Sequence, residues 1–138
     1  MKYENAIIFA LIPALFIAGC VQQSQPKGLG DYTPPTGTPS LEMLSPKDGD
    51  VINGSAVAIK VNVTNFRLAD IAANRANRDN EGHIHYYLDD REQRVPYTIV
   101  SFTNVPAGEH SIRIELHNND HSPLFPPVTV SIRIRTTG

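Results

Sequence analysis

A chain of 138 residues with 12 Lys+Arg against 14 Asp+Glu, a net charge of −2, one cysteine and no tryptophan has room for at most one ordinary domain. The near-balance of charge excludes a basic nucleic-acid footprint, and the lone thiol excludes an intramolecular disulfide framework and a cysteine-rich zinc site. The apolar residues are unevenly spread. A dense block comes first, a Pro/Gly/Thr stretch follows, and the remainder alternates.

Residues 1–19 read as a secretory signal. Lys2 supplies a thin positive start, and Ala6 to Ala18 is an uncharged, mostly apolar run too short to span a bilayer comfortably. The run ends Ile17-Ala18-Gly19-Cys20, which resembles the lipobox of bacterial and archaeal lipoproteins. That resemblance implies a lipid on Cys20, an extracytoplasmic location and a membrane anchor, and it removes the only thiol from any other chemistry. Residues 20–40 hold Gln-, Gly- and Pro-rich sequence, including Thr33-Pro34-Pro35-Thr36-Gly37-Thr38-Pro39, with almost no large aliphatic side chains. Such a stretch cannot offset the cost of ordering a core, so it reads as a disordered, semi-stiff spacer.

From Leu41 to Gly138 the pattern is that of one β domain. Val57, Ile59, Val61 and Val63 recur at every second position, as do Ile112, Ile114 and Leu116, and Val128, Val130, Ile132 and Ile134. Each run predicts a strand with one face on a core and one in water. His83–Leu88 and Tyr97–Phe102 are shorter β-rich runs. Asp48-Gly49, Asn53-Gly54, Asp89-Asp90, Pro106-Ala107-Gly108 and Asn118-Asn119-Asp120 are turn signals between them. The expectation is an immunoglobulin-like antiparallel β-sandwich of six to eight strands, without the Cys…Trp…Cys core of antibody domains. Between Phe66 and Glu81, the spacing of Leu68, Ile71 and Ala72 predicts a turn or two of helix within a crossover, favoured over a lid.

All five histidines lie beyond residue 82. On a strand, His83 and His85 share one face with Tyr87 and Asp89, while Ile84, Tyr86 and Leu88 take the core side. Their Cα atoms then lie ~7 Å apart, close enough for both imidazoles to reach one metal. His117 ends the Ile112–Leu116 strand on its outward face, and His121 follows past a turn. Convergence of His83, His85, His117 and His121 would give imidazole-only ligation, which in a thiol-free envelope domain points to Cu(II) or Zn(II). The plainer reading makes the His-x-His pair a solvated polar face. His110 reads as a strand-entry residue bonded to backbone.

Gly82-His83-Ile84-His85-Tyr86-Tyr87-Leu88-Asp89, Pro106-Ala107-Gly108-Glu109-His110 and Asn119-Asp120-His121-Ser122-Pro123-Leu124 together resemble a family of largely uncharacterised envelope β-sandwich domains. The opening Ser45-Pro46-Lys47-Asp48-Gly49-Asp50-Val51 and the run Val61-Asn62-Val63-Thr64-Asn65-Phe66 extend the likeness across Leu41 to Ile134. The resemblance implies an immunoglobulin-like fold and a copper or other metal role for His83, His85 and His121. His117 stands where that family more often has another residue and would be an accessory ligand. The family's aromatic stretch between the motifs is reduced here to Tyr97 and Phe102.

The Gly-His-x-His strand also resembles the copper-ligand strand of Cu/Zn superoxide dismutases, but the disulfide cysteines and the zinc loop are missing. Dismutase-like chemistry ranks far behind binding, with Arg113 the one cation on a suitable face. No Gly-x-Ser-x-Gly, phosphate loop or His-Glu-x-x-His occurs, so no other enzyme class is indicated. Asp89 and Asp90 suit a turn better than an acid/base pair. Asn53 and Asn62 begin glycosylation sequons. The expectation is a metal-binding module for sequestration or delivery. The alternative is a structural or adhesive module whose outer sheet meets an envelope polysaccharide or protein.

Overall fold

The computed structural model describes residues 32–73 and 75–138, so the expected signal segment, Cys20 and the first part of the spacer lie outside the described residues. Nine strands are present among the described residues: β1 (Ser40–Ser45), β2 (Val51–Ile52), β3 (Val57–Thr64), β4 (Arg67–Leu68), β5 (Glu81–Leu88), β6 (Arg91–Val95), β7 (Ile99–Phe102), β8 (Gly108–Asn118) and β9 (Thr129–Thr136). They form a three-stranded sheet in the order β1-β3-β7 and a six-stranded sheet in the order β2-β9-β8-β5-β4, with β6 also paired to β5. The fold is the expected two-sheet, immunoglobulin-like β-sandwich, with nine strands where the sequence predicts six to eight because the two-residue strands β2 and β4 are too short to show alternation. Its long pairings are antiparallel, and the two-residue strands β2 and β4 pair in parallel at the margins.

The alternating runs face as their period dictates. Val57, Ile59 and Val61 of β3 are buried while Ala58, Lys60 and Asn62 are exposed, and Ile112, Ile114 and Leu116 of β8 close over them from the other sheet. Phe102, Tyr86 and Leu88 fill the space between, and the Tyr86 hydroxyl reaches the Tyr97 carbonyl oxygen at 2.7 Å. Its ring is thus buried without leaving the polar tip unpaired. His110 shares the inward parity of β8. One of its ring nitrogens lies 2.9 Å from the Pro106 carbonyl oxygen, the backbone bond expected of a strand-entry residue.

The sequence and the structure differ in three further places. The helical spacing at Leu68, Ile71 and Ala72 yields no helix among the described residues. Arg67–Leu68 instead pairs with β5, and Asp70 caps a turn by accepting from the Ala72 N–H at 2.9 Å. Three apolar positions in a polar stretch cannot outweigh the pairing offered by the β5 edge. Second, β6 is built of Arg91-Glu92-Gln93-Arg94-Val95, with no apolar alternation to announce it. It forms because Asp89-Asp90 turns the chain straight back, with Leu88 opposite Arg91 and Tyr87 opposite Glu92.

Third, the stretch before β1 is fastened to the domain from Tyr32 onward. The Tyr32 hydroxyl donates to the Asp79 carbonyl oxygen at 2.9 Å, and its ring lies 5.1 Å from each of the Arg67 and Arg78 guanidinium carbons. The Asn80 amide donates to the Pro35 carbonyl oxygen and that of Asn65 to the Thr38 carbonyl oxygen. Backbone carbonyls of a Pro-rich segment have no partners of their own, so asparagine side chains on the domain supply them.

Candidate metal centre

β5 is the strand on which the sequence expectation needs correction. It lies inside the six-stranded sheet, and seven of its eight residues are buried, on both faces. His83 is 0 % exposed and His85 3 %, so the His-x-His pair is not a solvated polar face. Their outward side is covered by the chain that leaves β8. His117 lies directly across from His83, and the turn after it folds back so that His117 bridges to Pro123. Gly82 makes the pairing possible: a Cβ there would run into the His117 carbonyl oxygen, with the Phe66 ring 3.0 Å away on the other side.

The turn that carries His121 is fixed by its own short polar residues. The Asp120 carboxylate accepts from the Ser122 N–H at 2.9 Å and from its hydroxyl at 2.6 Å, while the Asn118 N–H donates to the Ser122 carbonyl oxygen at 2.9 Å. His121 itself sits at φ 69°, a left-handed conformation unusual for a non-glycine residue. The crossover segment clamps the turn from outside. The Asn119 amide donates to the Ala76 carbonyl oxygen at 2.8 Å and to buried Glu81 at 2.9 Å, and the Asp120 N–H donates to Asn77 Oδ1 at 3.0 Å. Glu81 in turn has Arg67 at 3.6 Å and Arg78 at 3.8 Å as counter-charges.

These constraints bring three imidazoles to a point. His83 Nε2 lies 2.8 Å from His85 Nε2 and 3.1 Å from His121 Nδ1, and the third side of the triangle is 3.5 Å. A triangle of these sides has a circumscribed radius of about 1.8 Å, just inside the ~2.0 Å of an imidazole–metal bond. One ion could therefore be held by all three nitrogens. No other group of three or more His, Cys, Asp or Glu side chains among the described residues has this geometry.

The electrostatics are those of neutral donors. Burial, and then the neighbouring His85, lower the pKa of His83 to about 4. Burial, and then His117, do the same for His85, also to about 4. Both rings are therefore uncharged at neutral pH, the form in which imidazole ligates a metal. His85 Nδ1 lies 2.9 Å from Glu92 Oε1, so this nitrogen carries the proton and Nε2 turns its lone pair to the triangle. Glu92 is held ionised, its pKa lowered to about 2 chiefly by its hydrogen bond from Arg94. His83 Nδ1 is buried without a hydrogen-bond partner, so His83 has no equivalent support.

His117, named with the ligands from sequence, stands differently. Nδ1 lies 2.9 Å from the His121 carbonyl oxygen and Nε2 lies 3.0 Å from Glu115 Oε2, so neither nitrogen is turned to the triangle. Its ring instead stacks on that of His85 at 3.7 Å and 8°. Arg113, the cation considered for a dismutase-like site, lies over the Tyr87 ring at 4.0 Å and pairs with Glu115. Sequence reasoning missed Glu92. A two-residue hairpin at Asp89-Asp90 would have placed it opposite Tyr87, and hence on the histidine face.

No protein-family model matches the chain, and no curated protein matches it at a significant level. Solved structures do resemble it in fold. The fibronectin(III)-like modules of Clostridium thermocellum CbhA align over 72% of this chain and 46% of theirs, at 13% identity and a TM-score of 0.48. An engineered protein aligns over 73% of this chain and 20% of its own, at 8% identity and a TM-score of 0.50. The extracellular domain of a putative one-component system from B. thetaiotaomicron aligns over 73% of this chain and 16% of its own, at 11% identity and a TM-score of 0.43. The chain thus spans less than half of each of these solved chains, and at such identities the likeness is one of fold alone. No family is identified by them.

Proposed function

We propose that this chain is a lipid-anchored extracytoplasmic module that binds one transition-metal ion through His83, His85 and His121, and that it serves sequestration or delivery rather than turnover. The observation that carries the reading is the triangle of ring nitrogens with sides of 2.8, 3.1 and 3.5 Å. Each ring nitrogen has a single in-plane lone pair or proton, so three nitrogens aimed at one point cannot all be satisfied by hydrogen bonds to each other. A cation at that point satisfies all three. The donor set is imidazole without thiolate, which suits Cu(II) or Zn(II), and the affinity order of divalent ions favours copper. The anchor would be a lipid on Cys20.

The test is a calorimetric titration of protein purified without a metal-affinity step. Saturable 1:1 binding of Cu(II), micromolar or tighter at pH 7, is expected, with Zn(II) weaker. The His83→Ala/His85→Ala double variant, with one imidazole of the three left, should lose saturable binding. No saturable binding of either ion overturns the reading and leaves the adhesive or structural module as the better account. Retention of the chain on envelope polysaccharide, indifferent to chelator, would favour that account directly.

A further inference from the structure

Two of the three proposed ligands are fixed by one residue that is not itself a ligand. His117 Nδ1–H donates to the His121 carbonyl oxygen at 2.9 Å, which holds the backbone of the residue that supplies the third nitrogen. The same ring lies flat against His85, 3.7 Å between centroids and 8° from parallel, which limits rotation of that imidazole about its own axis. The other ring nitrogen lies 3.0 Å from Glu115 Oε2, and Arg113 holds Glu115 in turn. The backbone of His117 is locked as well, paired across to His83 and bridged to Pro123. Its position is therefore set before any ion arrives.

We infer that His117 is the positioning residue of the metal centre, coupling the buried strand pair to the loop ligand His121 so that the three nitrogens stay preorganised. The assignment rests on the metal reading above. It predicts a particular asymmetry. His83 and His85 are placed by β5 itself, whereas His121 reaches the site from a turn four residues beyond His117. Removal of His117 loosens the turn ligand first, and the ion then departs faster from a site that still has three nitrogens.

The experiment combines Cu(II) affinity, dissociation rate and the nitrogen hyperfine pattern in electron paramagnetic resonance, measured on the full chain and on His117→Ala, His117→Asn and His117→Phe. His117→Ala should weaken binding roughly 10- to 100-fold, the usual cost of losing an outer partner of a metal site. It should also speed dissociation while leaving the count of bound nitrogens at the wild-type value. His117→Asn keeps a donor for the His121 carbonyl, and His117→Phe keeps a ring against His85, so each should fall between wild type and alanine. These two also decide the matter if the alanine variant does not fold. A nitrogen lost from the pattern in any His117 variant makes His117 a ligand and overturns the assignment. Affinity within twofold of wild type in all three makes it a bystander and also overturns it. If wild-type protein takes up no Cu(II), the metal reading itself has failed, a result distinct from either.

Discussion

At the scale of single residues, the site depends on one position that carries no chemistry. Gly82 precedes the His-x-His pair, and any side chain there meets the His117 carbonyl oxygen. The obstructing atom is backbone inside a paired ladder, so it cannot swing aside as a flexible side chain would. Gly82→Ala should therefore part β5 from β8 beside the site and destabilise the domain by about 2 kcal/mol or more, the scale of overpacking a closed interior. Equilibrium urea unfolding reads the loss, and a midpoint unchanged from wild type would show that the ladder yields more easily than its geometry indicates. The role of Glu92 belongs to the same scale. A carboxylate on the far nitrogen of His85 decides which nitrogen has the free lone pair, a matter that the identity of the histidine alone leaves open.

At the scale of elements, the β5–β6 turn is tied to the start of β8 by a pair away from the histidine triangle. His110 Nδ1 lies 2.7 Å from Asp89 Oδ2, and Asp89 Oδ1 also accepts from the Ser111 N–H at 2.9 Å. The hydrogen bond to Asp89, opposed by burial, raises the pKa of His110. Burial works against ionised Asp89, but the bonds from His110 and Ser111 prevail and lower its pKa. A raised histidine pKa stabilises the fold fully below its unfolded value and loses that contribution as pH rises through the folded pKa. A depressed carboxylate pKa stabilises above its unfolded value and is lost as pH falls through the folded one. The pair therefore contributes most between about pH 4 and about pH 6.5. His110→Gln should cost about 1 kcal/mol at pH 5.5, a modest figure because solvent reaches Asp89, and the gap to wild type should narrow towards pH 8.5. Thermal melts across that range check it. A gap that does not vary with pH would mean that the pair acts through shape alone.

The crossover between β4 and β5, with the strand residues Arg67 and Glu81 at its two ends, shows how a largely irregular segment can position a site. Ala76, Asn77 and Glu81 hold the turn that carries His121, while Arg67, Arg78 and Asn80 hold Tyr32 and Pro35. Its asparagines and charged side chains read in sequence as a solvated loop. Asn77 and Asn80 meet backbone groups of two other loops, and Glu81, Arg67 and Arg78 meet side chains of the same loops, partners that no local pattern announces.

For the whole molecule, the proposed ion would bridge β5 and the β8–β9 connection, so its binding is linked to folding. An ion bound only by the native state at a hundred times its Kd adds ~2.7 kcal/mol. For a domain of this size that should raise Tm by roughly 10 °C. The increase should appear on adding Cu(II), reverse with chelator and be absent from the His83→Ala/His85→Ala variant. A Tm insensitive to Cu(II) in wild type would count against native-state binding.

Much of this architecture was legible beforehand, because strand alternation is a local property. The period of two at Val57–Val63, Ile112–Leu116 and Val128–Ile134 sets which side chains face inward whatever the strands pair with. The turn residues set where the chain reverses. The same rule put His83 and His85 on one face. It could not say that this face is covered, because cover comes from chain more than thirty residues away. The convergence of His121 on the pair, the turning aside of His117 and the arrival of Glu92 all depend on the β5–β8 register, the β5–β6 hairpin and the docking of the Asn118–Pro123 turn on the crossover. Sequence by itself determined a β-sandwich with a strand bearing two same-face histidines. Only the tertiary structure decided that they are buried and that a third imidazole completes the set, because burial and ligand geometry are set by contacts between segments distant along the chain.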